Sequence, residues 1–270
     1  MKKLFPCILV LYISVLTSCS VNNAKIDNGL KKYFDSSQVD GCFTLLNNSN
    51  GEITVYNMKL DTQRVSPAST FKIVNSLIGL ETGKITDEKM VIKWDSVKRL
   101  NEDWNRDLTM EQAFKVSSVP YYQEVARRIG RNIMQSWVDT LEYGNKTISG
   151  PIDSFWLDNT LKISPDEQLG LVKRLYFDKL PFQKRTQQIV RNVMLQEDNT
   201  LYKFSYKTGW GSDEKQNAIG WMVGWIEENL HVYFFVTLIK SPDRNIDMRT
   251  VRMNITRGIL KEMGFFKGEK

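Results

Sequence analysis

Strand-like runs lie at both ends of this 270-residue chain, and helical patterning fills the span between them. Near the start, Gly41 to Leu46 and Glu52 to Tyr56 flank Asn47-Asn48-Ser49-Asn50-Gly51, a strong turn sequence, so this segment is predicted to be a hairpin. Near the end, Tyr202 to Lys207, Ala218 to Ile226 and Val232 to Ile239 are rich in Val, Ile, Trp, Phe and Tyr and read as three strands. From Pro67 to about Gln196 the apolar spacing is mostly helical, with loops at 93–108, 143–151 and 157–165. Residues 26–38 and Met248 to Met263 read as terminal helices. No linker or repeat divides the chain. The economical solution is one α/β (α+β) unit: an antiparallel sheet built from both chain ends, with the terminal helices on one face and an inserted, mostly helical region (about 67–200) on the other.

Residues 1–20 stand outside that pattern. Met1-Lys2-Lys3, an apolar run from Leu4 to Leu16 and then Thr17-Ser18-Cys19-Ser20 have the order of an export signal. The run is shorter than the roughly 20 residues that span a bilayer. Leu16-Thr17-Ser18-Cys19 resembles the lipobox of bacterial lipoproteins. That resemblance implies removal of residues 1–18, lipidation of Cys19, a single domain over 19–270, and a periplasmic protein tethered to a membrane. An ordinary signal peptide is the alternative. With Cys7 discarded and Cys19 modified, Cys42 has no disulfide partner. Loss of Lys2 and Lys3 lowers the formal charge from +6 to +4, spread without a basic stripe, which argues against nucleic acid. The single histidine, His231, excludes a multi-histidine zinc site, and no metal is expected.

The segment Ser66-Pro67-Ala68-Ser69-Thr70-Phe71-Lys72 opens a nearly all-apolar helix. Ser66 suits the cap and Pro67 the first helical position, which puts Ser69 in the first turn. Lys72, three residues on, shares a face with Ser69. A lysine on a buried helix is pushed toward the neutral amine, and a neutral amine beside a hydroxyl is a base beside a nucleophile. A chance match exists at Ser212-Asp213-Glu214-Lys215, but that polar turn cannot desolvate its lysine. Two further clusters point the same way. Lys207-Thr208-Gly209 is expected to end a strand and to offer a cation, a hydroxyl and open backbone N–H groups to a carboxylate and an oxyanion. Ser117-Ser118-Val119 falls at a helix break before Pro120, where a hydroxyl can face a cleft.

Together with Tyr143-Gly144-Asn145, these motifs resemble the class D serine β-lactamases, the oxacillinases, over roughly residues 25–265. Trp94-Asp95, Asp107-Leu108-Thr109 and Phe155-Trp156-Leu157 also match, whereas Ser96 stands where many members have glycine. The resemblance implies the penicillin-binding/serine β-lactamase fold and hydrolysis of β-lactam antibiotics through an acyl-enzyme on Ser69. It implies that Lys72 carries CO2 as a carbamate (N6-carboxylysine) and acts as general base, with no other cofactor. It implies that Ser117 and Lys207 relay a proton to the leaving nitrogen. The backbone N–H groups of Ser69 and Trp210 would form the oxyanion hole. Val119, Thr208, Gly209 and Arg249 would bind substrate, Arg249 at its carboxylate, and the Trp156 indole would hold the carbamate. Arg252 is left unassigned. Trp104, Tyr121, Tyr122 and 212–217 are expected at the cleft rim.

Two other readings share this fold. One is a penicillin-sensor domain that acylates without efficient turnover; the other is a peptidoglycan transpeptidase or D,D-peptidase. Val119, where sensors typically carry Asn, and the lack of several spans before the domain favour the hydrolase.

Overall fold

The computed structural model describes residues 24–270. The expected export signal and Cys19, the expected lipidation site, lie outside the described residues. The N-terminal part contributes β1 (Ala24–Ile26), α1 (Lys31–Asp35), β2 (Asp40–Asn47), β3 (Ile53–Tyr56) and α2 (Met58–Asp61). The inserted region holds α3 (Lys72–Glu81), β4 (Val91–Ile92), β5 (Leu108–Thr109), α4 (Met110–Lys115), α5 (Val119–Ile129), α6 (Arg131–Thr140), α7 (Pro165–Tyr176) and α8 (Lys184–Met194). The chain then returns to the sheet through β6 (Leu195–Asp198), β7 (Tyr202–Ser212), β8 (Ala218–Glu228) and β9 (His231–Ser241), and closes with α9 (Met248–Glu262).

The sheet has seven strands in the order β1-β3-β2-β9-β8-β7-β6. The two chain ends meet where β2 pairs antiparallel with β9 from Asp40 opposite Lys240 to Asn47 opposite Tyr233. One pair departs from the expected antiparallel pattern: β1 lies parallel to β3. The segment expected to be loop at 93–108 is bounded by a two-stranded ribbon, Val91 opposite Thr109 and Ile92 opposite Leu108.

Each face of the sheet carries its own core. Ile219, Trp221, Val223 and Trp225 of β8 pack against the helical region with Phe71 and Trp156, whereas Met222 and Ile226 pack with Leu30, Phe34, Ile255 and Ile259 of the terminal segments. A strand buried on both faces needs no polar alternation, which is why β8 reads as a near-continuous apolar run. No helix among the described residues is long and apolar enough to cross a membrane.

Lys207-Thr208-Gly209 was expected at a strand end, but β7 continues to Ser212, opposite Ala218. Gly209 and Gly211 mimic turn signals for a packing reason. A Cβ on Gly209 would lie 3.1 Å from the Pro67 carbonyl oxygen, and one on Gly211 would lie 3.2 Å from Ala68 Cβ. The strand is bare so that the turn carrying Ser69 can lie against it.

Candidate active site

Ser69 sits in a 3-10 turn, Ala68–Phe71, that runs into α3. Ala68 is held at φ +48°, a conformation that disfavours any residue with a Cβ. The surroundings fix that turn. Trp221 Nε1 donates to the Ser66 carbonyl (2.9 Å), Ser66 Oγ donates to the Trp156 carbonyl (3.0 Å), and Thr70 Oγ1 donates to the Pro67 carbonyl (2.7 Å). Gln168 Nε2, from α7, donates to Thr70 Oγ1 at 2.6 Å.

Lys72 begins α3, and every residue from Lys72 to Leu80 is buried. Its Nζ lies 2.6 Å from Ser69 Oγ. Burial alone pushes the Lys72 pKa down to about 7. The amine is therefore largely neutral just above neutrality, while Ser69 keeps a slight opening to solvent at 7% exposure. Tyr122, expected at the rim, lies beneath this amine instead: Lys72 Nζ is 5.6 Å from its ring centre, and its hydroxyl is 2.8 Å from Ser76 Oγ. Tyr121 is buried too. Both occupy the inward face of α5, which the apolar spacing Tyr122, Val125, Ala126, Ile129 marks.

The second serine pair divides its labour. Ser118 caps α5, its Oγ accepting from Tyr121 N (3.4 Å). Ser117, held at φ +55° between α4 and α5, accepts from Lys207 Nζ at 3.0 Å. Lys207 also donates to the Thr208 carbonyl (2.9 Å). Its pKa falls well below the ordinary lysine range through burial and then through repulsion by Lys72 and Arg252. Val119, half-buried, is the first residue of α5.

Trp156 is fully buried against Phe71 (ring centres 5.7 Å apart), and its indole nitrogen has no hydrogen-bond partner among the described residues. A buried N–H without an acceptor is costly, about 1–3 kcal/mol. The buried Lys72 amine and this unclaimed donor, packed on the adjoining Phe71, fit a carbamate on Lys72, whose anionic oxygens need a donor. Tyr143-Gly144-Asn145 braces the loop behind. Asn145 accepts from Lys162 N and donates to the Thr160 carbonyl, and a Cβ on Gly144 (φ +54°) would fall 1.8 Å from the Lys162 carbonyl oxygen.

Trp210 follows Gly209 on β7, opposite Gly220, with its side chain half exposed. Arg249 is exposed at the start of α9 and makes no side-chain hydrogen bond among the described residues. The arginine that α9 delivers to β7 is Arg252: it is buried, its NH1 donates to the Gly209 carbonyl at 2.6 Å, and burial lowers its pKa to about 10. Its position was legible, because Met248, Arg252, Ile255 and Ile259 fall on one stripe of the helix. Gln168 was missed as well; it shares the buried stripe of α7 with Leu171 and Leu175. Among the described residues no three His, Cys, Asp or Glu side chains converge as metal ligands would.

Comparison with known proteins agrees with this geometry. Residues 41–261 match the penicillin-binding protein transpeptidase domain family. A probable β-lactamase of Bacillus subtilis is 40% identical over 273 residues, covering 98% of each chain. The crystal structure of a class D β-lactamase from Sebaldella termitidis superposes with a TM-score of 0.85 at 34% identity, covering 91% of this chain and all of that one. The C-terminal domain of the BlaR penicillin receptor of Bacillus licheniformis superposes with the same TM-score at 29% identity, over 91% of this chain and 98% of that domain.

Proposed function

The chain belongs to the class D serine β-lactamases, and from that premise we propose that it opens β-lactam rings through an acyl-enzyme on Ser69, with carboxylated Lys72 as the base. The observation that carries the reading is a fully buried Lys72 amine 2.6 Å from a slightly exposed Ser69 hydroxyl. Carbon dioxide held on Lys72 would supply a carbamate base, and the Trp156 indole, unpartnered among the described residues, is a donor that would hold it. Ser69 Oγ gives its proton toward Lys72 and attacks the lactam carbonyl. The developing oxyanion meets the backbone N–H groups of Ser69 and Trp210. Ser117, hydrogen-bonded to Lys207, relays a proton to the leaving nitrogen.

In this reading Arg252, with Thr208 and Lys207, serves the substrate carboxylate in place of Arg249, since it is the arginine seated against β7. Val119 and Gly209 line the same cleft. The chain is proposed to act as one domain over 19–270 in the bacterial envelope, conferring β-lactam resistance, exported by residues 1–18 and tethered by a lipid on Cys19.

The BlaR likeness favours a second reading, acylation without release. Mixing the protein with excess benzylpenicillin separates the two. Many turnovers per enzyme support the hydrolase; one stoichiometric burst with a lasting adduct supports the sensor. Ser69→Ala is expected to form no adduct by mass spectrometry, and a covalent adduct on that variant would remove the nucleophile assignment.

A further inference from the structure

A penicillin or cephalosporin carries its ring carboxylate and its acylamino side chain on opposite sides of the lactam carbonyl. If Thr208 and Arg252 take the carboxylate and the Trp210 N–H takes the oxyanion, the acyl side chain is directed along β7 past Trp210 toward Ser212. There the structure holds a cavity of about 310 Å³. Leu157, Trp210 and Ala218 give it apolar walls, and Gln216 and Arg244 stand at its mouth. Half of the Trp210 side chain is exposed, so its ring is available to an apolar linker.

The cation at this mouth forms no ion pair among the described residues. Arg244 NH2 donates to Gln216 Oε1, a neutral amide, at 2.8 Å. Of the neighbouring carboxylates, Asp213 pairs with Lys240 (3.0 Å), Glu214 pairs with Lys162, and Asp243 accepts from the Asn245 backbone N–H. The hairpin that presents Gln216 is fixed rather than loose. Asp213 accepts from the backbone N–H groups of Lys215 and Asn217 and from Asn217 Nδ2, and Gln216 is held at φ +64°. An arginine oriented by a fixed neutral partner keeps its other guanidinium donors for an anion.

We propose that Arg244, positioned by Gln216, is a specificity residue that favours β-lactams whose acyl side chain ends in a carboxylate. The inference rests on the cleft assignment above and deepens it. A matched pair tests it: 6-aminopenicillanic acid bearing an adipoyl or a hexanoyl side chain, which have equal carbon number and differ only in the terminal carboxylate. Second-order acylation rates are read by competition with a fluorescent penicillin, so the result does not depend on turnover. Wild-type enzyme is expected to favour the adipoyl compound by about fivefold, the size of a partly exposed ion pair. Arg244→Ala should erase that preference by slowing only the adipoyl reaction, and Arg244→Lys should restore part of it. Raising ionic strength roughly tenfold should shrink the wild-type preference. Equal rates for the two compounds in wild type, or an equal loss for both in Arg244→Ala, would overturn the proposal. Failure of the hydrolase reading would show separately, as acylation without turnover of benzylpenicillin.

Discussion

Replacing Lys72 with Met should make the folded protein more stable while removing its turnover. An amine in water titrates near 10.5, and burial brings Lys72 to about 7. At pH 7 the unfolded chain holds that proton fully and the native state holds it half the time, which disfavours folding by about 4 kcal/mol. The contact with Ser69 Oγ offsets about 1 kcal/mol of this. Methionine has similar length, no charge and a flexible stem suited to the same space. A net gain of about 2–3 kcal/mol follows. The sign with pH is fixed: a lowered lysine pKa means that the unfolded state binds more protons between about pH 7 and 10.5, so wild-type stability rises with pH across that window. The variant should lose a large part of that rise. Lys207, its amine also held below the ordinary range, adds to the same rise, with less repulsion once Lys72 is gone. Urea unfolding at pH 7 and pH 9, with carbon dioxide excluded, measures both effects. A variant less stable than wild type at pH 7, with the same pH slope, would refute the desolvated amine.

Three further outcomes are expected. Trp156→Phe removes a buried donor that is open to an anion, a loss of about 1.5–3 kcal/mol. Deacylation should slow by about 10- to 100-fold in stopped-flow traces, with partial recovery on adding bicarbonate; wild-type rates without bicarbonate dependence would count against the carbamate. Asp61 is buried, and desolvation first, then the nearby Asp166, raises its pKa to about 6 against the opposing hydrogen bond from Thr44. Its penalty is absent below about pH 4 and complete above about pH 6, so Asp61→Asn should stabilise by about 1–2 kcal/mol at pH 7.5 and change little at pH 4, read by thermal melts. Arg252→Ala should raise KM for penicillins by about tenfold and Arg249→Ala by under twofold; the reverse ranking would return the carboxylate to Arg249.

The sequence-level reading succeeded where the pattern was set by one kind of neighbour. Strands near 41–56 and 218–239 showed themselves through branched and aromatic residues because they meet a core. The Ser69 and Lys72 pair showed itself because a lysine on an apolar helix, three residues after a serine, gained weight beside Ser117 and Lys207-Thr208-Gly209. It failed where a residue answered to two partners at once. Gly209 and Gly211 look like turn residues, yet they are small because the Ser69 turn approaches them. Arg252 looks like a solvent charge, yet its stem lies on the apolar stripe and its head reaches Gly209. Tyr121 and Tyr122 look like rim aromatics until the register of α5 turns both inward. Gln168 touches Thr70 across 98 residues of chain, and no local window contains that contact.

The short β6 has one more consequence. It pairs β7 only from Lys203 to Ser205, so from Lys207 to Ser212 the outer margin of β7 meets no strand among the described residues. Lys207 and Arg252 already donate to the Thr208 and Gly209 carbonyls, and a strand margin of this kind can receive an amide-bearing guest at its remaining main-chain groups. Recognition of that kind is blind to side chains on either party. The acylamino group that penicillins and cephalosporins share would then be gripped by atoms that substitution leaves in place, leaving positions such as 210, 216 and 244 at liberty to vary and retune preference without dismantling the grip.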